Sequence, residues 1–112
     1  MNKSESKIQQ EIFVWFWNKF CLPKCEPREV IFHVPNENQH RLVNIGVLPG
    51  VSDLVFTWKG RHYYCEVKDN KGKQSGNQIK FENHIKAVQG CEYLLVRSLI
   101  EFKENIASLK NF

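Results

Sequence analysis

The residues best equipped for chemistry are Asp53, Glu66 and Lys68. Asp53 to Trp58 and His62 to Lys68 are rich in β-branched and aromatic residues and flank Lys59-Gly60, so they read as two strands joined by a two-residue turn. With Lys59 and Gly60 as the loop, Trp58 opposes Arg61 and, further along, Asp53 opposes Glu66. Side chains directly opposite on antiparallel strands have Cβ atoms about 4.5–5.5 Å apart, and like charges there repel. Two carboxylates so placed require a cation between them. Period-two alternation turns Tyr64, Glu66 and Lys68 to one face, so the lysine joins the acids. A third acid comes from the N-terminal segment, where Glu5 falls between Ile12 and Phe16 in helical angle, inside the apolar stripe. Glu11 lies at the edge of that stripe and is the weaker candidate, because an edge carboxylate stays in water. Hard divalent ions such as Mg²⁺ take carboxylate, water and phosphate oxygens, and they both activate water and neutralise charge on a phosphate under in-line attack. Lys68 beside them would orient or help deprotonate that water and offset negative charge in the transition state. The chemistry this spacing suits is phosphodiester hydrolysis.

The elements that position these residues follow from periodicity and punctuation. Ile8, Ile12, Trp15, Phe16 and Phe20 recur at helical spacing, predicting a helix from about Ser4 to Phe20 with Ser4 or Ser6 as N-cap, bounded by Pro23. Val30 to Val34, between Pro27 and Pro35, reads as a short strand. After the hairpin, Ser75-Gly-Asn-Gln78 has the form of a capping box, opening a helix that carries Ile79, Ile85 and Val88 and stops at Gly90. Tyr93 to Arg97 is an apolar strand, and Ser98-Leu-Ile-Glu101 is a second capping box ahead of a helix with Phe102, Ile106 and Leu109 on one face. The order α-β-β-β-α-β-α, with a helix crossing between a hairpin strand and the next strand, predicts an α/β fold with a mixed β-sheet flanked by helices.

Composition sets the outer limits. The chain has 112 residues, 42% hydrophobic and 25% charged, which suits one domain over 1–112 with its own core and excludes a disordered or collagenous polymer. No apolar run approaches the roughly 20 residues of a membrane-spanning helix, and the opening MNKSESKIQQ lacks the order of a signal peptide, so a cytoplasmic protein is expected. Sixteen Lys and Arg against twelve Asp and Glu give a net charge of +4, which permits nucleic-acid binding without demonstrating it. Cys21, Cys25, Cys65 and Cys91 read as reduced thiols; Cys21 and Cys25 would supply half a zinc site, but a second tight ligand pair is missing.

Taken in order, Ser4-Glu5-x-x-Ile8-Gln9, Pro35-Asn36 with His40-Arg41, Gly46-Val-Leu-Pro-Gly50-Val-Ser-Asp53-Leu54, Glu66-Val67-Lys68, Ser75-x-x-Gln78 and Gly90 resemble the VRR-NUC domain (virus-type replication-repair nuclease), a branch of the PD-(D/E)XK superfamily. The resemblance runs over nearly the whole chain, in the manner of the stand-alone proteins of phages. It implies a restriction-endonuclease-like core, similar to that of Holliday junction resolvases, and a Mg²⁺- or Mn²⁺-dependent, structure-selective DNA endonuclease of replication, recombination or repair, often homodimeric, working in the cytoplasm of a bacterial host if phage-encoded. By position it implies Asp53 and Glu66 as metal ligands with the Val67 carbonyl as a further oxygen, Lys68 as catalytic lysine, Gln78 as active-site helper and Glu5 as the helix-borne acid. Ser52 stands where the superfamily name has proline.

Plainer roles stand beside these. Gln78 is also the natural capping-box partner of Ser75, and the plain role of Gly46 and Gly50 is as left-handed turn positions, although a glycine loop ahead of Asp53 would also let a DNA backbone approach. His40 and Arg41 are candidate phosphate contacts, as are Lys71 and Lys73 in the polar loop after Lys68, which would otherwise form a solvated turn. Trp15, Trp17 and Phe20 belong to a core or a dimer face. The rival reading from another class is a DNA-binding module with a structural acidic cluster; stacking carboxylates where phosphates must approach gives such a module nothing.

Overall fold

The computed structural model describes residues 3–35 and 48–109. Helix α1 spans Glu5–Phe16, capped by Ser4, whose hydroxyl accepts from the Lys7 amide at 3.2 Å. It buries Ile8, Ile12 and Phe16, the stripe expected from the spacing. The predicted end at Phe20 is refined: beyond Phe16 the winding widens to a π-helix over Trp17–Cys21. In that register Phe20 meets Trp58 edge-on at 4.6 Å between centroids, and Cys21 is buried. Leu22, extended ahead of Pro23, ends the winding because the residue before proline disfavours helical angles.

Strand β1 is Ile31–His33, shorter than the predicted run, although its ladder continues at both ends through Thr57 N–H to the Val30 carbonyl (3.0 Å) and Val34 N–H to the Asp53 carbonyl (2.9 Å). Strands β2 (Leu54–Trp58) and β3 (Arg61–Val67) pair antiparallel with Trp58 opposite Arg61 and Leu54 opposite Cys65, the register expected from the turn. Lys59 and Gly60 have φ of 50° and 88°, the pair of positive values a type I′ turn demands. The buried carboxylate of Glu29 accepts from Thr57 Oγ1 (2.7 Å) and the Lys59 amide (3.0 Å), tying that turn to the chain ahead of β1.

Helix α2 (Gly76–Lys86) carries the complete capping box, with both Ser75 and Gln78 arms made. Strand β4 (Cys91–Val96) returns parallel to β3, and Gly90 ahead of it has φ of 89°. Helix α3 (Leu99–Ser108) is capped by Ser98, whose hydroxyl accepts from the Glu101 amide at 3.0 Å. The second arm of that box differs from expectation: Glu101 Oε1 accepts from the amide of Arg97, one residue ahead of the cap, at 2.9 Å. Sheet order is β1-β2-β3-β4, antiparallel at the first two junctions and parallel at the third, so the mixed sheet and its flanking helices are as predicted.

The alternation of β2 and β3 sorts the sheet's two faces. Leu54, Phe56, Tyr63 and Cys65, all fully buried, meet α1 and α3, where Phe16, Phe56 and Phe102 form a mutual cluster with centroids 5.1–6.1 Å apart. Each such side chain contributes roughly 1.5–3 kcal/mol of burial. On the opposite face Phe81 of α2 packs edge-on against Tyr64 (5.7 Å). Helix α2 itself has no fully buried residue and ends at Lys86, short of the stop expected at Gly90; Ile79 is exposed on the helix and Val88 is exposed in the turn that follows it. Among the described residues no helix is long and apolar enough to cross a membrane.

Candidate active site

The site forms where β2, β3, α1 and α2 meet. Its approach is the turn at Gly50, which has φ of 82°. A Cβ there would stand 2.3 Å from the backbone carbon and oxygen of Asn77, so only glycine lets this loop lie on the first turn of α2. The close approach that the glycine permits is thus to a helix of the same chain. Ser52, fully buried, donates its hydroxyl to the Leu54 carbonyl at 3.3 Å. A small hydroxyl residue therefore fits this closed position and satisfies a backbone oxygen.

Asp53 Oδ2 accepts from the Val67 amide at 2.8 Å, which fixes the carboxylate over the end of β3. Glu66 is 1% exposed, and its Oε2 accepts from Gln78 Nε2 at 2.8 Å and lies 3.6 Å from Lys68 Nζ. Its other oxygen, Oε1, is buried with no hydrogen-bond partner. Burial first, and then the charge of the adjoining Asp53 carboxylate, hold the Glu66 carboxyl up from its ordinary 4.5 to about 8; the Glu5 charge acts in the same sense, and the Lys68 ammonium opposes them. Lys68 itself is 8% exposed, an expensive place for an ammonium without carboxylates beside it.

Glu5 reaches the same region from α1. Its Oε2 lies 3.5 Å from the Asp69 amide nitrogen, and a Cβ on Gly72 would stand 2.8 Å from that oxygen and 3.2 Å from Lys68 Cδ. Five expected residues therefore converge: Glu5, Asp53, Glu66, Lys68 and Gln78. Gln78 completes the expected capping box, its oxygen accepting from the Ser75 amide (2.8 Å), while its nitrogen donates to Glu66. Glu11 is paired with Lys3 at 2.7 Å, away from the cluster. Lys71 and Lys73 are exposed on the loop after Asp69; His40 and Arg41 lie outside the described residues. The four cysteines are free thiols, and burial pushes the Cys65 thiol far up, which leaves it inert.

Three supports were not legible in the sequence. The loop from Asp69 to Gly72 is folded on its own aspartate, whose Oδ1 accepts from the amides of Lys71 (3.0 Å) and Gly72 (2.6 Å). Arg97 staples that loop, Nη1 donating to the carbonyls of Asp69 (2.6 Å) and Gly72 (2.8 Å). His33 Nδ1 lies 3.0 Å from the Asp53 carbonyl and 2.8 Å from the Gln9 side-chain amide, linking α1, β1 and the acid-bearing segment. A ring nitrogen that donates to the carbonyl needs the amide oxygen of Gln9 toward it, an orientation equivalent in shape. The Asp-x-x-Gly spacing of the loop was the one local signal; the other two supports join residues 20 or more apart in sequence.

The donor set suits a hard divalent cation. An orphaned, buried carboxylate oxygen on Glu66 beside a second carboxylate, with a neutralising lysine, is what a Mg²⁺ or Mn²⁺ ion would complete. Among the described residues no cluster of three or more His, Cys, Asp or Glu side chains forms a ready ligand set, so the remaining positions would fall to backbone oxygen, water and phosphate.

The architecture and site together define an α/β domain with paired acids and a lysine at the end of a hairpin. No family model and no curated protein matches the sequence. A solved structure described as "VRR_NUC domain protein" superposes with a TM-score of 0.75 at 17% identity, over 96% of this chain and 88% of that one. The chain has the fold of that VRR_NUC domain protein, as the motif order led us to expect.

Proposed function

We propose that this protein is a VRR-NUC nuclease of the PD-(D/E)XK type, hydrolysing phosphodiester bonds in branched or flapped DNA with Mg²⁺ or Mn²⁺. The observation that carries the reading is the convergence of Asp53, Glu66 and Lys68 from two strands with a buried carboxylate oxygen left over. Asp53 and Glu66 would hold the ion, with the Val67 carbonyl as a further oxygen, and the ion would lower the pKa of water and offset charge on the phosphate. Lys68 places an ammonium beside the reacting region, where it orients the attacking water and stabilises negative charge as it builds. Gln78 fixes the rotamer of Glu66, and Glu5 supplies a further acceptor for water next to Lys68. Lys71 and Lys73, with His40 and Arg41, would take phosphates, and a homodimer would present enough surface for a branched duplex.

The test is cleavage of forked, four-way and linear duplexes in Mg²⁺, Mn²⁺ or chelator. Cleavage of branched DNA that needs the cation and is lost in Lys68→Ala and Glu66→Ala supports the reading. Cleavage unchanged in those variants refutes the site, and cation-independent binding without cleavage would leave a DNA-binding module. Light scattering at micromolar concentration checks the dimer.

A further inference from the structure

Beside the carboxylate centre, on the other flank of α1, lies a groove of about 720 Å³. Its walls are apolar: Val14 and Trp15 of α1 face Leu99 and Ile100 of α3. Ile100 is 70% exposed, the most exposed large hydrophobic residue among those described, and Val14 is 47% exposed. Single exposed apolar residues are ordinary, whereas several sharing one concavity mark a binding surface.

The rim is basic. Lys3, Lys7 and Arg97 stand on it, and Glu11, the one acid there, is already paired with Lys3 at 2.7 Å. Arg97 spends Nη1 on two backbone carbonyls, which carry no net charge, so its cation stays uncompensated by them. Apolar walls under an excess of positive charge fit a peptide that brings bulky apolar side chains with acids around them. Duplex DNA would leave the exposed side chains of Val14 and Ile100 without partners. A second copy is the poorer match, because the chain is itself cationic at +4.

We propose that this groove docks an acidic peptide segment of a partner protein, anchored by two bulky apolar side chains between α1 and α3. Such a partner would also touch the catalytic neighbourhood. Asn70 lines the groove, and Arg97 staples the Asp69–Gly72 loop that abuts Glu5 and Lys68. Docking is independent of whether the protein cuts DNA, and its test does not use cleavage.

The experiment is fluorescence anisotropy of a dye-labelled ten-residue peptide holding five glutamates, a leucine and a phenylalanine, titrated with the full chain at low and moderate salt. A second peptide replaces the glutamates by lysine. Binding of the acidic peptide at about 10–100 μM, weakened by salt and about tenfold weaker or more for the lysine peptide, is expected. Ile100→Asp and Lys7→Glu should each weaken it about tenfold or more, with circular dichroism and melting unchanged because both positions are exposed. The proposal is overturned if the two peptides bind alike, if no binding appears at about 1 mM, or if Ile100→Asp binds as the wild type does. It is equally overturned if Lys7→Glu weakens binding of a labelled duplex while leaving the acidic peptide unaffected, which would assign the rim to DNA.

Discussion

Replacing Glu66 by glutamine should stabilise the cation-free protein at neutral and alkaline pH while abolishing its response to divalent ions. The carboxyl is pushed from 4.5 to about 8, chiefly by burial and by the Asp53 charge. Between those values the folded chain binds more protons than the unfolded one, so stability falls as pH rises through that window and levels off above about 8. At about 1.4 kcal/mol per pH unit the full effect is about 5 kcal/mol, and about 3 kcal/mol is already present at pH 7. Glutamine keeps the shape of the site: its oxygen can still accept from Gln78 Nε2, and its amide can donate to Asp53. Urea denaturation of wild type and Glu66→Gln in chelator, from pH 4.5 to 8.5, reads the difference directly. The variant should gain several kcal/mol over wild type at pH 8 and almost nothing at pH 4.5. Added Mn²⁺ should stabilise wild type most at the alkaline end, where Glu66 is ionised, and leave the variant unmoved. Parallel pH curves for the two proteins would refute the reasoning, because the excess negative charge would then lie elsewhere.

Other perturbations probe the supports of the site. Gly50→Ala should cost about 3 kcal/mol or more in urea denaturation, because φ is positive and the new Cβ would strike the Asn77 backbone. Gly72→Ala should push Glu5 and Lys68 apart and lower DNA cleavage about tenfold in single-turnover assays, with a melting temperature within a few degrees of wild type. His33→Ala should raise the Mn²⁺ concentration needed for half-maximal thermal stabilisation by about three- to fivefold, as expected for loss of a partly solvated hydrogen bond, whereas His33→Asn, which keeps a donor near Nδ1, should recover most of it.

Much of the architecture was legible because local rules and global packing agree. Lys59-Gly60 fixes the hairpin register, which pairs Leu54 with Cys65 and so carries Asp53 to the end of β3 where Glu66 lies, and Ser4, Ser75 and Ser98 each cap a helix. The acids were legible for the same reason: once register is set, two residues on one face must meet. The π-helical end of α1 was not, because it is selected by where Phe20 packs on Trp58, a contact spanning 38 residues. Nor did periodicity show that α2 would end at Lys86 and leave Ile79 exposed, since spacing reports a face but not what covers it. The Arg97 staple and the His33 link depend on loop conformations with no repeating pattern. Gly50 was read as a turn residue, and its positive φ agrees; the helix it abuts could be seen only in three dimensions.

Helix α2 has consequences for how the molecule breathes. It buries no residue fully, and it is tied down at its first turn, where Gly50 lies against it and Gln78 grips Glu66. Its amides should therefore exchange with solvent through local opening well before those of β3 and the α1–α3 layer. Anything that tightens the grip of Gln78, a bound ion included, should slow that exchange along the helix. The element that contributes least to the core would then be the one that reports, over its eleven residues, on the state of a single carboxylate.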